Sequence, residues 1–251
     1  MLVMGILNVT PDSFADGGKH NDFESAVARG LEMIAEGVDI IDIGGESTRP
    51  GADRVSEAEE IARTIPVIKE LAKHGVKISI DTMRASTAEA AINAGASIIN
   101  DVSGGLADPL MLQTAARLKV PYISMHWRGQ SKDMNSKAIY GDVVSDVISE
   151  LQERIDAALD AGIAKDNLII DPGLGFAKDA DHNWAIIDAM DQFVAMGYPV
   201  LVGASRKRFL GGDSPDEREQ ATIDLTKRLA PTGVWAVRVH SVKPHKEVLS
   251  V

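Results

Sequence analysis

The chain has 251 residues and a mass of 26.8 kDa, with 45% hydrophobic and 25% charged residues, the proportions of an ordinary globular protein. Its 26 Lys+Arg against 37 Asp+Glu leave a formal charge of −11, which argues against nucleic acid or an anionic membrane as partner; an anionic ligand would need a local cluster of donors. The absence of cysteine excludes disulfide frameworks, thiolate nucleophiles, iron–sulfur clusters and cysteine-ligated zinc.

In chain order, the first element is an apolar run over residues 1–9. It has no basic residue before Lys19 and no small-residue cleavage site, so it reads as a buried strand rather than a secretory leader. Nowhere do 18 apolar residues run together, which argues against a transmembrane helix and makes the cytoplasm the expected location. Further apolar runs follow at 39–43, 76–80, 97–100, 121–125, 168–170, 198–202 and 235–239. They are rich in Ile and Val and do not alternate with polar residues, as parallel strands covered on both faces require. Between them lie amphipathic stretches such as 24–36, 57–73, 143–161 and 217–229. Gly37, Gly75, Gly95, Gly162, Gly197 and Gly233 each stand where a helix should end.

Eight strands alternating with about eight helices, without a linker, predict one (β/α)8 TIM barrel over residues 1–251. Two long loops follow strands 1 and 2, at 10–22 and 44–56, and their small residues suit lids over a catalytic mouth. A doubly wound open sheet is the competing topology, but no G-x-G-x-x-G follows the first strand.

A barrel's active site lies at the C-terminal ends of its strands, and here those ends carry polar residues. Asn8 follows strand 1, Glu46-Ser47-Thr48-Arg49 strand 2, Asp81 strand 3, Asn100-Asp101 strand 4 and His126 strand 5. Asp171 follows strand 6 and Ser205-Arg206-Lys207 strand 7, while Arg238 and His240 flank the end of strand 8. Arg49, Arg206, Lys207, Arg238 and His240 make a basic half suited to phosphate oxygens. Asp81, Asn100 and Asp171 make a hydrogen-bonding half suited to a flat heterocycle such as a pterin or guanine. A dinuclear metal site is the rival reading of the acids, disfavoured because only His126 and His240 stand at strand ends.

These residues sit in longer strings. Met4-Gly5-Ile6-Leu7-Asn8-Val9-Thr10-Pro11-Asp12-Ser13-Phe14 with Asp16-Gly17-Gly18, and Gly44-Gly45-Glu46-Ser47-Thr48-Arg49-Pro50-Gly51, strongly resemble dihydropteroate synthases. So do Ser79-Ile80-Asp81-Thr82, Asn100-Asp101-Val102-Ser103-Gly104-Gly105, Met125-His126 and Asp171-Pro172-Gly173-Leu174-Gly175-Phe176-Ala177-Lys178. Gly203-Ala204-Ser205-Arg206-Lys207 and Arg238-Val239-His240 complete a resemblance that runs in order from end to end.

The resemblance implies a folate-pathway transferase that joins 6-hydroxymethyl-7,8-dihydropterin diphosphate to p-aminobenzoate, releasing pyrophosphate. It makes Asp81, Asn100 and Asp171 the pterin-edge binders, with Met125 an apolar wall and Lys207 reaching the ring. It makes Asn8, Arg49, Arg238 and His240 the pyrophosphate cradle, with Asn8 also a ligand to Mg²⁺. Phe14, Asp16, Thr48, Pro50, Phe176, Ser205 and Lys207 become the p-aminobenzoate pocket, where sulfonamides compete in the family. Asp81, Asp171, Lys207, Arg238 and His240 are the expected catalytic set, and a homodimer is the expected assembly. Ser241 departs from the family, which usually has Asp there, and a lost carboxylate would weaken the orientation of His240. Two alternatives stand beside this reading: a pterin-binding methyltransferase, which needs no cations around a diphosphate, and a paralogue that binds pterin without turnover.

Overall fold

The computed structural model describes residues 1–9, 19–46, 54–130 and 134–250, apart from the side chains of 19–22 and 135. The described elements alternate along the chain: β1 (Leu2–Asn8), α1 (Lys19–Ala35), β2 (Ile40–Gly44), α2 (Glu57–Ala72), β3 (Lys77–Asp81) and α3 (Ala85–Ala94). Then come β4 (Ile98–Asp101), α4 (Met111–Leu118), β5 (Tyr122–Met125), α5 (Val143–Asp160), β6 (Leu168–Asp171), α6 (Ala180–Asp188) and α7 (Met190–Val194). The series ends with β7 (Leu201–Val202), α8 (Arg218–Leu229), β8 (Ala236–Val239) and α9 (Lys243–Leu249). The strands pair in parallel in the order β6-β5-β4-β3-β2-β1-β8-β7.

A parallel bridge between Ile170 and Val200 joins the two ends of that order, helped by the Ile170 N–H donating to the Pro199 carbonyl at 3.0 Å. This closes the predicted (β/α)8 barrel. The seam is thin because Pro199 has no N–H to give a ladder, so β7 is shorter than the apolar run 198–202 suggests. All six predicted helix-ending glycines have φ between +73 and +118°, the left-handed conformation that stops a helix.

Strand pleating sorts the core. Val3, Leu7, Ile41, Ile43, Ile78, Ile80, Val237 and Val239 point outward and pack with the helices. On the opposite face, Met4, Ile40, Ile98, Ile123, Ile169, Leu201 and Ala236 fill the barrel interior. Two residues further along the same strands stand Asp42, Asn100, Met125, Asp171 and Arg238, which a period of two puts on that same inward face. The floor of any site at the mouth is thus apolar, and the layer above it carries the polar groups.

A buried ion cluster holds the base of the β2–α2 connection. Glu60 is 1% exposed and accepts from Thr82 Oγ1 at 2.6 Å, from Thr87 Oγ1 at 3.2 Å and from Arg84. Arg84 also donates to Glu46 at 2.8 Å and to the Val55 carbonyl at 2.6 Å, and Arg54 donates to Glu46 at 2.8 Å. Removing one member of such a cluster strands a buried charge. Glu60→Ala should therefore lower unfolding stability by about 3–5 kcal/mol. Urea unfolding would measure this, and a midpoint unchanged from wild type would show that the cluster contributes nothing.

Candidate active site

Arg238 rises from β8 into the middle of the inward polar layer. Its Nε donates to Asp42 Oδ2 at 2.6 Å and its Nη2 to Asp81 Oδ2 at 2.7 Å. The same Asp42 oxygen accepts from Asn100 Nδ2 at 3.1 Å. Two glycines leave room around this group. A Cβ on Gly44 would lie 3.5 Å from the Asp81 Cβ and 3.8 Å from Asn8 Oδ1, and one on Gly203 would lie 3.8 Å from Asp171 Oδ2 and 3.9 Å from the Arg238 Cβ. Asn8, Asp81, Asn100, Asp171 and Arg238 therefore converge on one mouth.

This differs from the expected division into a basic and a hydrogen-bonding half, because Arg238 stands among the carboxylates. The reason is electrostatic. Asp42, Asp81 and Asp171 are 0%, 7% and 5% exposed, and such a set requires a compensating charge at its own depth. Asp42 was not among the candidate residues, since it lies inside an apolar run and reads there as ordinary strand. The available signal was a lone acid two residues after Ile40, on the face that points into the barrel.

Burial pushes the Asp81 carboxyl up to about 7, with the Arg238 charge opposing and the Asp42 charge adding to the rise. Burial likewise raises Asp171, opposed by the Gly173 N–H, which donates to its Oδ1 at 2.8 Å, and by the charges of Lys207 and Arg238. Burial pulls the Lys207 ammonium down to about 8, against the attraction of Asp171. The layer thus holds one acid, Asp81, and beside it a lysine, Lys207, whose charge states change near neutrality.

Lys207 Nζ donates to the Leu174 carbonyl and lies 4.6 Å from the centroid of the Phe176 ring. Met125 packs with Met83 and Val102, and Trp127 and Phe176 lie against them. This apolar wall beside a cation gathers Met125, Phe176 and Lys207. His240 is oriented by Ser205, whose Oγ is 2.9 Å from His240 Nδ1 and accepts from the His240 N–H at 3.2 Å. Ser241 Oγ accepts from Arg206 Nη2 at 3.0 Å, and Arg206 donates to Glu219 on α8 at 2.7 Å.

Two strand-end residues have other roles. Asp101 accepts from Tyr122 Oη, the Ser103 N–H and hydroxyl, and the Gly105 N–H, holding the turn after β4. His126 is 1% exposed and contacts Glu150 and Lys178. Phe14, Asp16, Thr48, Arg49 and Pro50 lie outside the described residues, as does most of both long loops. Among the described residues no three His, Asp or Glu side chains are grouped to hold a metal ion. The Asn8 amide oxygen is a hard donor that fits the sparse protein ligation of Mg²⁺, which keeps waters and shares substrate phosphates.

Residues 4–240 match the pterin binding enzyme family. The chain is 49% identical over 259 residues to the dihydropteroate synthase of Mycobacterium leprae, spanning 99% of this chain and 91% of that one. It superposes on Xanthomonas albilineans dihydropteroate synthase with 4-aminobenzoic acid at a TM-score of 0.93 and 43% identity, covering 99% of this chain and 90% of that one. The structure of the Xanthomonas albilineans enzyme in complex with 7,8-dihydropteroate gives a TM-score of 0.90 at 40% identity, covering 99% and 91%. Sequence and fold agree over nearly the whole length, and the chain belongs to the pterin-binding enzyme family, among its dihydropteroate synthases.

Proposed function

We propose that this mouth condenses 6-hydroxymethyl-7,8-dihydropterin diphosphate with p-aminobenzoate, giving 7,8-dihydropteroate and pyrophosphate. The observation that carries the reading is the Arg238 guanidinium held between Asp42 and Asp81, one layer above the apolar floor and beside Asn100 and Asp171. Carboxylates only accept hydrogen bonds while an amide both donates and accepts, so Asp81, Asn100 and Asp171 suit the mixed edge of a pterin. Met125 would wall its face.

Breaking the C–O bond at the pterin methylene carbon leaves positive character on the ring and negative charge on the departing diphosphate. Ionised Asp81 and Asp171 favour the first, and Arg238 and His240, with Arg49, would take up the second. Arg238 can hold the acids and still meet the leaving group, because pairing through Nε and Nη2 leaves its Nη1 N–H groups for phosphate oxygens. Asn8 would hold Mg²⁺ against those oxygens, where the ion supplies charge neutralisation of the leaving group. The arylamine of p-aminobenzoate is already a nucleophile: its nitrogen forms the new bond to the methylene carbon and then loses a proton. No Ser or Cys nucleophile is required. Phe176, Ser205 and Lys207, completed by Phe14, Asp16, Thr48 and Pro50, would hold it. This favours a dissociative, SN1-like path, with the diphosphate binding first. A cytoplasmic homodimer is the setting we propose, and no described helix is long and apolar enough to cross a membrane.

Calorimetry with the pterin diphosphate should show binding without p-aminobenzoate, and pyrophosphate should appear only when p-aminobenzoate is added. Binding with no release would defeat the catalytic reading and select a pterin-binding paralogue. Arg238→Ala should lose at least one charge-assisted contact in the transition state, about 1.5–3 kcal/mol in kcat/KM. An unchanged kcat/KM would remove Arg238 from the site. Because Asp81 must be ionised to favour the cationic ring, kcat/KM for the pterin diphosphate should rise with pH through about 7, where this carboxyl deprotonates. Asp81→Asn cannot ionise, so its lower activity should lack that rise. A rise of the same midpoint in the variant would assign the limb to another group.

A further inference from the structure

The loop from β6 to α6 carries both Phe176 and the Leu174 carbonyl that holds Lys207, and its backbone is costly. Gly173 has φ +68°, Gly175 +76° and Ala177 +49°. A side chain is strained in that last conformation, which persists only where neighbours over-determine it. The loop also runs close to its surroundings, since a Cβ on Gly173 would fall 2.4 Å from the His126 carbonyl oxygen.

What over-determines it is Lys178 from the loop itself, together with side chains from α5 and from the β5–α5 connection. Lys178 Nζ lies 2.8 Å from His126 Nδ1 and donates to the carbonyls of Gly173 and Phe176, each at 3.1 Å. An ammonium has three N–H groups, and all three are matched. Burial pulls its pKa down to about 7, with Asp171 opposing, and burial together with the Lys178 charge pulls His126 down to about 4. His126 therefore stays neutral, with Nδ1 accepting and Nε2–H directed to Glu150 Oε2 at 2.9 Å. Arg128 pairs with the same Glu150 through Nε, at 3.1 and 3.0 Å to its two oxygens, and lies 3.8 Å from the centroid of the Tyr140 ring. Tyr140 Oη donates to the Ala177 carbonyl at 3.0 Å. Consecutive carbonyls of the loop are thus held by two independent anchors, Lys178 and Tyr140.

We propose that Lys178 and Tyr140, backed by His126, Glu150 and Arg128, are positioning residues that set the β6–α6 loop, and through Phe176 determine affinity for p-aminobenzoate rather than for the pterin. This rests on the functional reading above, in which Phe176 and Lys207 border the p-aminobenzoate subsite. None of these anchors belongs to the Arg238 layer, so the two subsites should separate in a KM-against-binding test.

The experiment compares Lys178→Met, Tyr140→Phe and Phe176→Ala with wild type. Each is measured by steady-state kinetics in p-aminobenzoate and by calorimetric Kd for the pterin diphosphate alone. Lys178→Met should raise KM for p-aminobenzoate by about 10- to 100-fold, the cost of displacing a site wall by about an ångström. Tyr140→Phe, which loses one hydrogen bond and preserves the ring, should raise it by about 2- to 10-fold. In Tyr140→Phe the pterin Kd should stay within about twofold of wild type, because its hydroxyl meets the Ala177 carbonyl and no group of the Arg238 layer; Lys178 also holds Gly173, whose N–H bonds Asp171, so Tyr140→Phe is the variant that separates the two subsites. If Lys178→Met does not fold, Tyr140→Phe decides alone. A raised KM in Phe176→Ala with no change in Tyr140→Phe and Lys178→Met would overturn the positioning role while leaving the functional reading intact. So would parallel loss of pterin affinity in Tyr140→Phe, which marks general damage. An unchanged KM in Phe176→Ala would overturn it by removing the loop from the subsite. Failure of wild type to turn over these substrates would overturn the functional reading, and this role with it.

Discussion

Asp42 and Asp81 give up their hydration inside the barrel, and what compensates them is one guanidinium. Arg238 pairs with both through separate nitrogens, so its plane is fixed before any ligand arrives. Asn100 is tied to the same Asp42 oxygen, and Asp171 is placed across Gly203 from Arg238. Asp81 and Asn100 are therefore oriented, directly or at one remove, by a pairing that the low dielectric of the barrel makes expensive to break, while Asp171 is held by the Gly173 N–H. A preorganised layer of this kind spends little on reorganisation when charge develops on a substrate.

The layer works because of what lies beneath it. Seven apolar side chains close the barrel from below, which keeps water from competing with the ion pairs above and leaves the mouth as the way in. The two sides of that mouth are built differently. The Arg238 side is carried on strand ends and is as rigid as the sheet. The Phe176 side is carried on a loop with several left-handed residues, whose Leu174 carbonyl also holds Lys207, and its shape depends on Lys178 of the loop itself and on Tyr140 reaching in from the connection before α5. A ring recognised by fixed acids and a second substrate recognised by a propped loop is a natural arrangement for an ordered two-substrate reaction.

Ser241 holds Arg206, and the His240 imidazole meets Ser205 across the β7–β8 gap, a contact supplied by a neighbouring strand end.

Much of this was present in the chain as written. Unbroken Ile and Val runs, glycines where helices end and polar residues at successive strand ends are local signals, set by backbone sterics and by burial on two faces. They carry the barrel, and they put Asp81, Asn100, Asp171, Lys207 and Arg238 at or just after strand ends on one rim. What they could not carry is pairing across the barrel. That Arg238 would sit among acids, that Asp42 would belong to the site, and that Lys178 would reach back to His126 depend on which inward faces meet. Those partners are separated by 196 and 52 positions in the chain, and the parallel pairing of β2 and β8 with β1, and of β5 with β6, brings them within hydrogen-bond reach.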